Sequence, residues 1–212
     1  LTLHKGMTKR VVRDAGVPTA AFQVVDGEAA PPPFAPPYFI KPVAEGTGKG
    51  VTPASIVRRR EDLAPACRAL QARFRQPVLV EAFLPGREFT VGIGGTGGGA
   101  EAIGTMEVHL LPAAEAEVYS YANKENSEEL VEYSLRRPQD DPVVAESERV
   151  ALAAWRVLEC RDAGRVDIRC DAAGRPQFME VNPLAGLHPE HSDLPIICSL
   201  AGLSFRELVA RI

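Results

Sequence analysis

The sequence predicts an α+β protein in two subdomains. Three observations carry this. Helical and strand-like patterns are mixed along one chain of 212 residues, which is long enough to bury a sizeable core. Two strand pairs close around glycine turns, at GGTGGG (94–99) and DAAGRP (171–176). A Pro85-Gly86 turn separates an earlier set of strands from a later one. It marks the expected boundary, giving units 1–85 and 86–212.

Taken in order, residues 5–15 form a helix with Met7, Val11 and Val12 on one side and Gly16-Val17-Pro18 closing it. AAFQVV (20–25) is a strand, and the proline-rich DGEAAPPPFAPP (26–37) is a loop. YFIKPV (38–43) is a strand ending at Pro42, followed by the flexible EGTGKG (45–50). Residues 60–75 form a helix, with Arg58-Arg59-Arg60 as its solvated approach. QPVLVEAFLPG (76–86), REFTVGI (87–93) and AEAIGTMEV (100–108) are strands. Gly92-x-Gly94-x-x-Gly97 matches a dinucleotide fingerprint as a string. A strand follows where that fingerprint needs a helix, so it reads as a hairpin turn. Residues 112–142 are polar and irregular, a candidate mobile loop. Residues 143–159 are an amphipathic helix carrying Trp155 as a core residue. GRVDIRC (164–170) and QFMEV (177–181) make a second hairpin, with Gly174 available for a positive φ. A last helix starts near Ser204, with Glu207 completing a capping box.

Composition bounds the function. Hydrophobic residues make up 45% and charged residues 25%, ordinary for a soluble globular protein. A net charge of −4 implies no general nucleic-acid surface. No apolar run approaches the roughly 18 residues of a membrane span, and no signal-peptide h-region is visible. Four cysteines without CxxC spacing read as reduced thiols of a cytoplasmic protein. The chain begins with Leu1, so a fragment of a longer protein is expected.

The second hairpin holds the main constellation. Residues alternate faces along a strand, so Arg165 and Asp167 share one face, and Glu180 and Asn182 share another. If the hairpin pairs these faces, three oxygen-bearing side chains converge beside one arginine. That set is too small for a closed calcium cage. It suits Mg²⁺, which keeps waters and takes further ligands from substrate phosphates. A wet Asp167 pairing with Arg165 or Arg169 is the ordinary alternative, set against Asn182-Pro183 and Gly186 at the strand end, where active groups often sit. Lys41 lies at the end of an apolar strand before the glycine loop, whose N–H groups can meet phosphate oxygens. A snorkelling lysine would look the same. Glu81 and Glu88 at the end of VLVEAFLPGREF could serve an adenosine, or could be two surface glutamates. His188 and His191 near Glu190 lack a third zinc ligand at convincing spacing.

Together Lys41-Pro-x-x-Glu-Gly, VLVEAFLPGREFTVGI, GRVDIRCDAAGRPQFMEVNPLAGL and HSDLP resemble the ATP-grasp superfamily, and within it the D-alanine–D-alanine ligase family. The resemblance runs from about Lys5 to the end of the chain. It implies an ATP-grasp fold with ATP held between two antiparallel sheets, and an ATP-dependent carboxylate–amine ligase acting through an acyl phosphate. It implies that Lys5 and Lys41 bind ATP phosphates, that Glu81 and the backbone near Leu84 read adenine, and that Glu88 reads the ribose. Asp167, Glu180 and Asn182 would hold two Mg²⁺ ions, with Mn²⁺ as a substitute. Arg165 and the Gly186 N–H would steady the tetrahedral intermediate, Ser192 would bind the second substrate's carboxylate, and Lys124 would sit on a loop closing over the site. Amino-acid substrates and a homodimer are implied as partners, with no nucleic acid and no membrane.

The chain departs from the pattern at several points. His4 stands where Asp is usual, and Thr47-Gly48-Lys49 where serines are usual, leaving Thr47 as a candidate substrate contact. Glu125 follows Lys124 in place of Tyr, and the loop between Asn182 and Ser192 is one residue longer. The family's first domain has no room before Lys5. Two alternatives follow from these departures: another ATP-grasp amino-acid or peptide ligase, or a nucleotide-binding module without ligase activity.

Overall fold

The computed structural model describes residues 1–46, 48–112 and 130–212. Helix α1 (Lys5–Asp14) leads into strand β1 (Phe22–Val25), followed by β2 (Tyr38–Pro42), β3 (Ile56–Val57), helix α2 (Leu63–Phe74) and β4 (Val78–Ala82). These strands form a four-stranded sheet in the order β1-β4-β2-β3, with each neighbouring pair antiparallel. Alternation divides its faces. Tyr38, Ile40, Val78 and Val80 pack with Leu63 and Cys67 of α2 into one core. Phe39, Lys41, Leu79 and Glu81 occupy the alternate positions of β2 and β4.

The second sheet is built from β5 (Glu88–Gly94), β6 (Glu101–Leu110), β7 (Val131–Arg136), β8 (Ala163–Cys170) and β9 (Pro176–Asn182). Its order is β7-β6-β5-β8-β9, again with antiparallel pairs. Helix α3 (Pro142–Val157) covers one face. Phe89, Val91, Ile93, Val166, Ile168, Phe178 and Val181 meet Val150, Ala154 and Trp155 there in the larger core. Trp155 is fully buried and its indole N–H donates to the Gly95 carbonyl at 3.0 Å. On the other face, Gly92 and Gly104 let helix α4 (Asp193–Leu200) approach, since a Cβ on Gly92 would lie 3.0 Å from Ile197. Helix α5 (Phe205–Arg211) ends the chain, and Ser204 and Glu207 form the expected capping box. Gly174 turns the β8–β9 hairpin at φ +76°.

Three expectations change. Met7 and Val11 are exposed, and the buried face of α1 is Lys5, Thr8, Lys9 and Val12. That face is polar because it backs a charged pocket. Part of the 112–142 segment is a strand, β7, whose Val131 and Tyr133 pack against Val108. Helix α4, unread in the sequence, stands beside the site. The chain crosses between the sheets through 83–87, yet Val12 of α1 and Val17 just after it lie in the second core. The Thr19–Phe178 bridge and the Phe178 N–H to Pro18 carbonyl bond fasten the following segment to β9.

Candidate active site

The pocket forms where the alternate face of the first sheet meets the α4-bearing face of the second. One part is an apolar slot lined by Phe39, Ala82, Phe83, Leu84 and Met179, with Glu81 and Arg169 at its edge. It opens into a charged part lined by Lys5, Lys41, Lys49, Glu88, Asp167 and Glu180. A flat apolar ligand portion and a polyanionic portion would thus lie end to end between the sheets.

Strand register makes the second wall. Asp167 stands opposite Glu180, and Arg165 opposite Asn182, as the hairpin reading requires. A bulge follows at Asp167/Ile168. It lets Met179 and Glu180, consecutive residues, both line the pocket. Arg169 stands opposite Glu88 across β5–β8, and their side chains pair at 3.2 Å. Arg165 meets both Asp167 oxygens at 2.6 Å and Asp193 at 3.2 Å. Burial opposes the Arg165 charge, and Asp167, Asp193 and Glu180 outweigh it. The ordinary alternative therefore forms in part, since Asp167 does pair with Arg165, but the pair is buried rather than wet. Thr90 adds a hydroxyl 3.3 Å from Asp167.

Lys5 bridges the second wall to the glycine loop, pairing with Glu180 at 3.3 Å and donating to the Glu45 carbonyl. His4 caps α1 through its ring, whose Nδ1 accepts from the Met7 N–H at 3.1 Å. An imidazole thus does here what an N-cap carboxylate would.

The first wall is organised by Glu81. One carboxylate oxygen meets Lys41 at 2.8 Å, and the other meets Lys9 at 2.6 Å. Lys9 is fully buried and also donates to Thr19 Oγ1 at 2.6 Å and to the Phe178 carbonyl at 3.2 Å. Burial alone would raise the Glu81 carboxyl, but Lys41 and Lys9 bring it down to about 2. Burial works against Lys41 as well, and Glu81 and Glu180 reverse it to a net rise.

Beyond β9, the Ser192 hydroxyl accepts from the His188 N–H at 3.0 Å. Among the described residues no acceptor takes its own proton. Gly186 passes so close that a Cβ there would lie 2.6 Å from Ser192 Oγ. His188 and His191 stack at 4.6 Å. Thr47 and Lys124 lie outside the described residues.

The oxygen set fits a small hard cation. Asp167, Glu180 and Asn182 adjoin on one face, and the buried amide nitrogen of Asn182 has no hydrogen-bond partner among the described residues. That amide nitrogen is a donor and suits an anionic oxygen such as a phosphate's, while the Asn182 carbonyl oxygen is the atom that could face a cation. No group of three His, Cys, Asp or Glu suited to a metal occurs among the described residues, so water and phosphate oxygens would complete the shell.

Sequence reasoning missed Lys9, Arg169, Met179 and Asp193. Lys9 is one helical turn from Lys5, and Arg169 continues the Arg165–Asp167 alternation, so both had a signal. Met179 had none, because strict alternation turns it away from Glu180.

Two antiparallel sheets with a pocket between them fit the ATP-grasp class, and the solved structures agree in fold. The chain superimposes over its whole length on D-alanine–D-alanine ligase from Bacillus anthracis complexed with ATP, with TM-score 0.75 and 21% identity, covering 64% of that chain. It does so equally on the VanG D-Ala:D-Ser ligase from Enterococcus faecalis, with TM-score 0.76 and 22% identity, covering 60%. The family model for the D-ala D-ala ligase C-terminus matches residues 11–212, and the chain belongs to that family. D-alanine–D-alanine ligase of Bordetella petrii is 36% identical over all of this chain and 63% of its own length. That of Bordetella avium is 34% identical over all of this chain and 65% of its own. The chain thus spans just under two thirds of these relatives. Among the described residues no helix is long and apolar enough to cross a membrane.

Proposed function

We propose that this chain is the ATP-binding and catalytic part of an ATP- and Mg²⁺-dependent carboxylate–amine ligase that joins two amino acids, D-alanine being the first choice for both. One observation carries the reading: an apolar slot runs into a cluster of lysines, with Asp167, Glu180 and Asn182 adjoining opposite. The units 1–85 and 86–212 are read as its two subdomains. The setting is cytoplasmic, where ATP is available, and a homodimer is expected.

Adenine would lie in the slot against Phe39 and Met179, beside Glu81 and the Leu84 backbone, with Glu88 at the ribose. Lys5 and Lys41 would hold the phosphates. Asp167, Glu180 and Asn182 would hold Mg²⁺, which when bound neutralises charge on the transferring phosphoryl group. A substrate carboxylate oxygen bonds to the γ-phosphorus as the bond to ADP breaks, giving an acyl phosphate. The amine of the second amino acid then bonds to the acyl carbon, its proton leaves, and phosphate departs. Arg165 and the Gly186 N–H would meet the oxyanion formed on that attack. The Ser192 hydroxyl would donate to the second substrate's carboxylate.

Phosphate release from ATP and Mg²⁺, measured with D- and L-amino acids singly and in pairs, tests this. Release that requires D-alanine and vanishes in Asp167→Ala/Glu180→Ala is the expected result. Release only with other amino acids would keep the chemistry and change the substrates. ATP binding without release would leave a nucleotide-binding module, consistent with a chain spanning under two thirds of its relatives. Absence of Mg²⁺-dependent ATP binding would overturn the reading.

A further inference from the structure

We infer that Lys9, which does not itself line the pocket, is a positioning residue that cancels the Glu81 charge and so leaves Lys41 as an unspent cation for a ligand phosphate. The inference rests on the nucleotide reading of the pocket. Lys41 is the member that lines the charged part of the pocket in a buried chain of three charges, Lys9–Glu81–Lys41, with contacts of 2.6 and 2.8 Å. Lys9 does not line the pocket and is wholly inaccessible. Its three contacts, to Glu81, Thr19 Oγ1 and the Phe178 carbonyl, are all with acceptors. Thr19 gives its own hydroxyl proton to the same carbonyl at 2.8 Å, so its oxygen accepts from Lys9. Three acceptors match the three N–H groups of an ammonium and leave one unmatched for a neutral amine.

The charge count then decides the effect. Burial lowers the Lys9 amine and Glu81 opposes that, and the three acceptors around it hold it as an ammonium. Two lysines and one carboxylate thus leave one net positive charge, which only Lys41 can present. Without Lys9 the trio would reduce to a neutral Glu81–Lys41 pair, which offers an anion little. Lys9 also spans both walls, because Glu81 belongs to the first sheet and Phe178 to the second. A purely structural staple would explain that second feature alone, so the test must separate charge from packing.

The probes are inorganic tripolyphosphate, which has no adenine to touch Glu81, and ATP. Binding to the full chain is read by calorimetry, and cooperative unfolding confirms that each variant folds. Lys9→Met should weaken tripolyphosphate binding on the order of tenfold, as loss of one charge from a partly solvated cradle implies. Adding Glu81→Gln to it should restore at least about threefold, since Lys41 regains its net charge. Removing a second buried contact cannot repair a packing defect, so a double variant as weak as Lys9→Met would overturn the inference. Unchanged binding in folded Lys9→Met would overturn it too. If Lys9→Met does not fold, Lys9→Gln, which keeps an amide donor for Thr19 and Phe178, replaces it in both comparisons. Failure of the unaltered chain to bind either probe would instead overturn the nucleotide reading beneath it.

Discussion

The two walls of the pocket carry similar charges and hold them differently. In the first wall, Glu81 is clasped by two lysines at 2.6 and 2.8 Å, all three side chains being at most 7% exposed. In the second, Lys5–Glu180 and Arg169–Glu88 sit at 3.3 and 3.2 Å with carboxylates 17% and 16% exposed. The first wall is built in advance and resembles a core. In the second wall Glu180 and Glu88 pair with cations that a metal and a polyphosphate can replace, while Asp167 is held by Arg165 at 2.6 Å as closely as Glu81 is held in the first. A ligand that brings both charges lets Glu180 exchange Lys5 for a metal and Lys5 exchange Glu180 for a phosphate. Pre-organisation on one side and exchange on the other lets one cleft stay folded while empty and still bind a highly charged ligand.

The largest expected effect falls on the exchangeable wall. Asp167→Asn with Glu180→Gln keeps the size of both side chains and removes both negative charges. Phosphate release should drop on the order of 10³-fold or more, the scale of losing preorganised electrostatic contacts. ATP binding measured without Mg²⁺ should persist, because Lys41 and the slot are untouched. Loss of metal-free binding as well would mean that the two walls are not separable.

The next effect tests the pre-built wall through pH. The folded Glu81 carboxyl lies near 2, well under its ordinary 4.5. A depressed carboxyl contributes stability above the unfolded value and loses it as pH falls through the folded one. The window is therefore about pH 4.5 down to 2, and the contribution is at most about 3 kcal/mol. Urea midpoints followed over that range should fall more steeply in the unaltered chain than in Lys9→Met/Glu81→Gln. Equal slopes would show that other carboxylates dominate acid unfolding.

How much of this was legible in the sequence also follows the two walls. The β8–β9 hairpin was readable, because period-two alternation and a glycine turn set its register before any tertiary contact. Asp167, Glu180 and Asn182 thus came together as expected. The strand ends carrying Lys41 and Glu81 were readable as well, but not what Glu81 holds, since Lys9 comes from a helix more than 70 positions away in the chain. On α1, apolar Met7 and Val11 pointed to the wrong face, because the helix buries the amines of Lys5 and Lys9 beside Val12, and only Val12 reaches the hydrocarbon core. Met179 was hidden by a bulge, which no residue type announces. Helix α4 was missed where Asp193 opens it and then pairs with Arg165.

A smaller effect sharpens the exchange. Lys5→Met removes a phosphate cation and also the partner that Glu180 gives up. ATP affinity should fall about tenfold, as for loss of one charge–charge contact near a protein surface. The Mg²⁺ concentration for half-maximal ATP binding should move the other way and decrease, because a metal no longer competes with an ammonium for Glu180. Opposite signs in the two titrations are what an exchangeable pair requires. A lysine that only binds phosphate would weaken both, since bound phosphate supplies metal ligands. An increased Mg²⁺ requirement in Lys5→Met would therefore remove the distinction between the walls at this residue, leaving Lys5 and Lys41 as equivalent cations on opposite sides of the cleft.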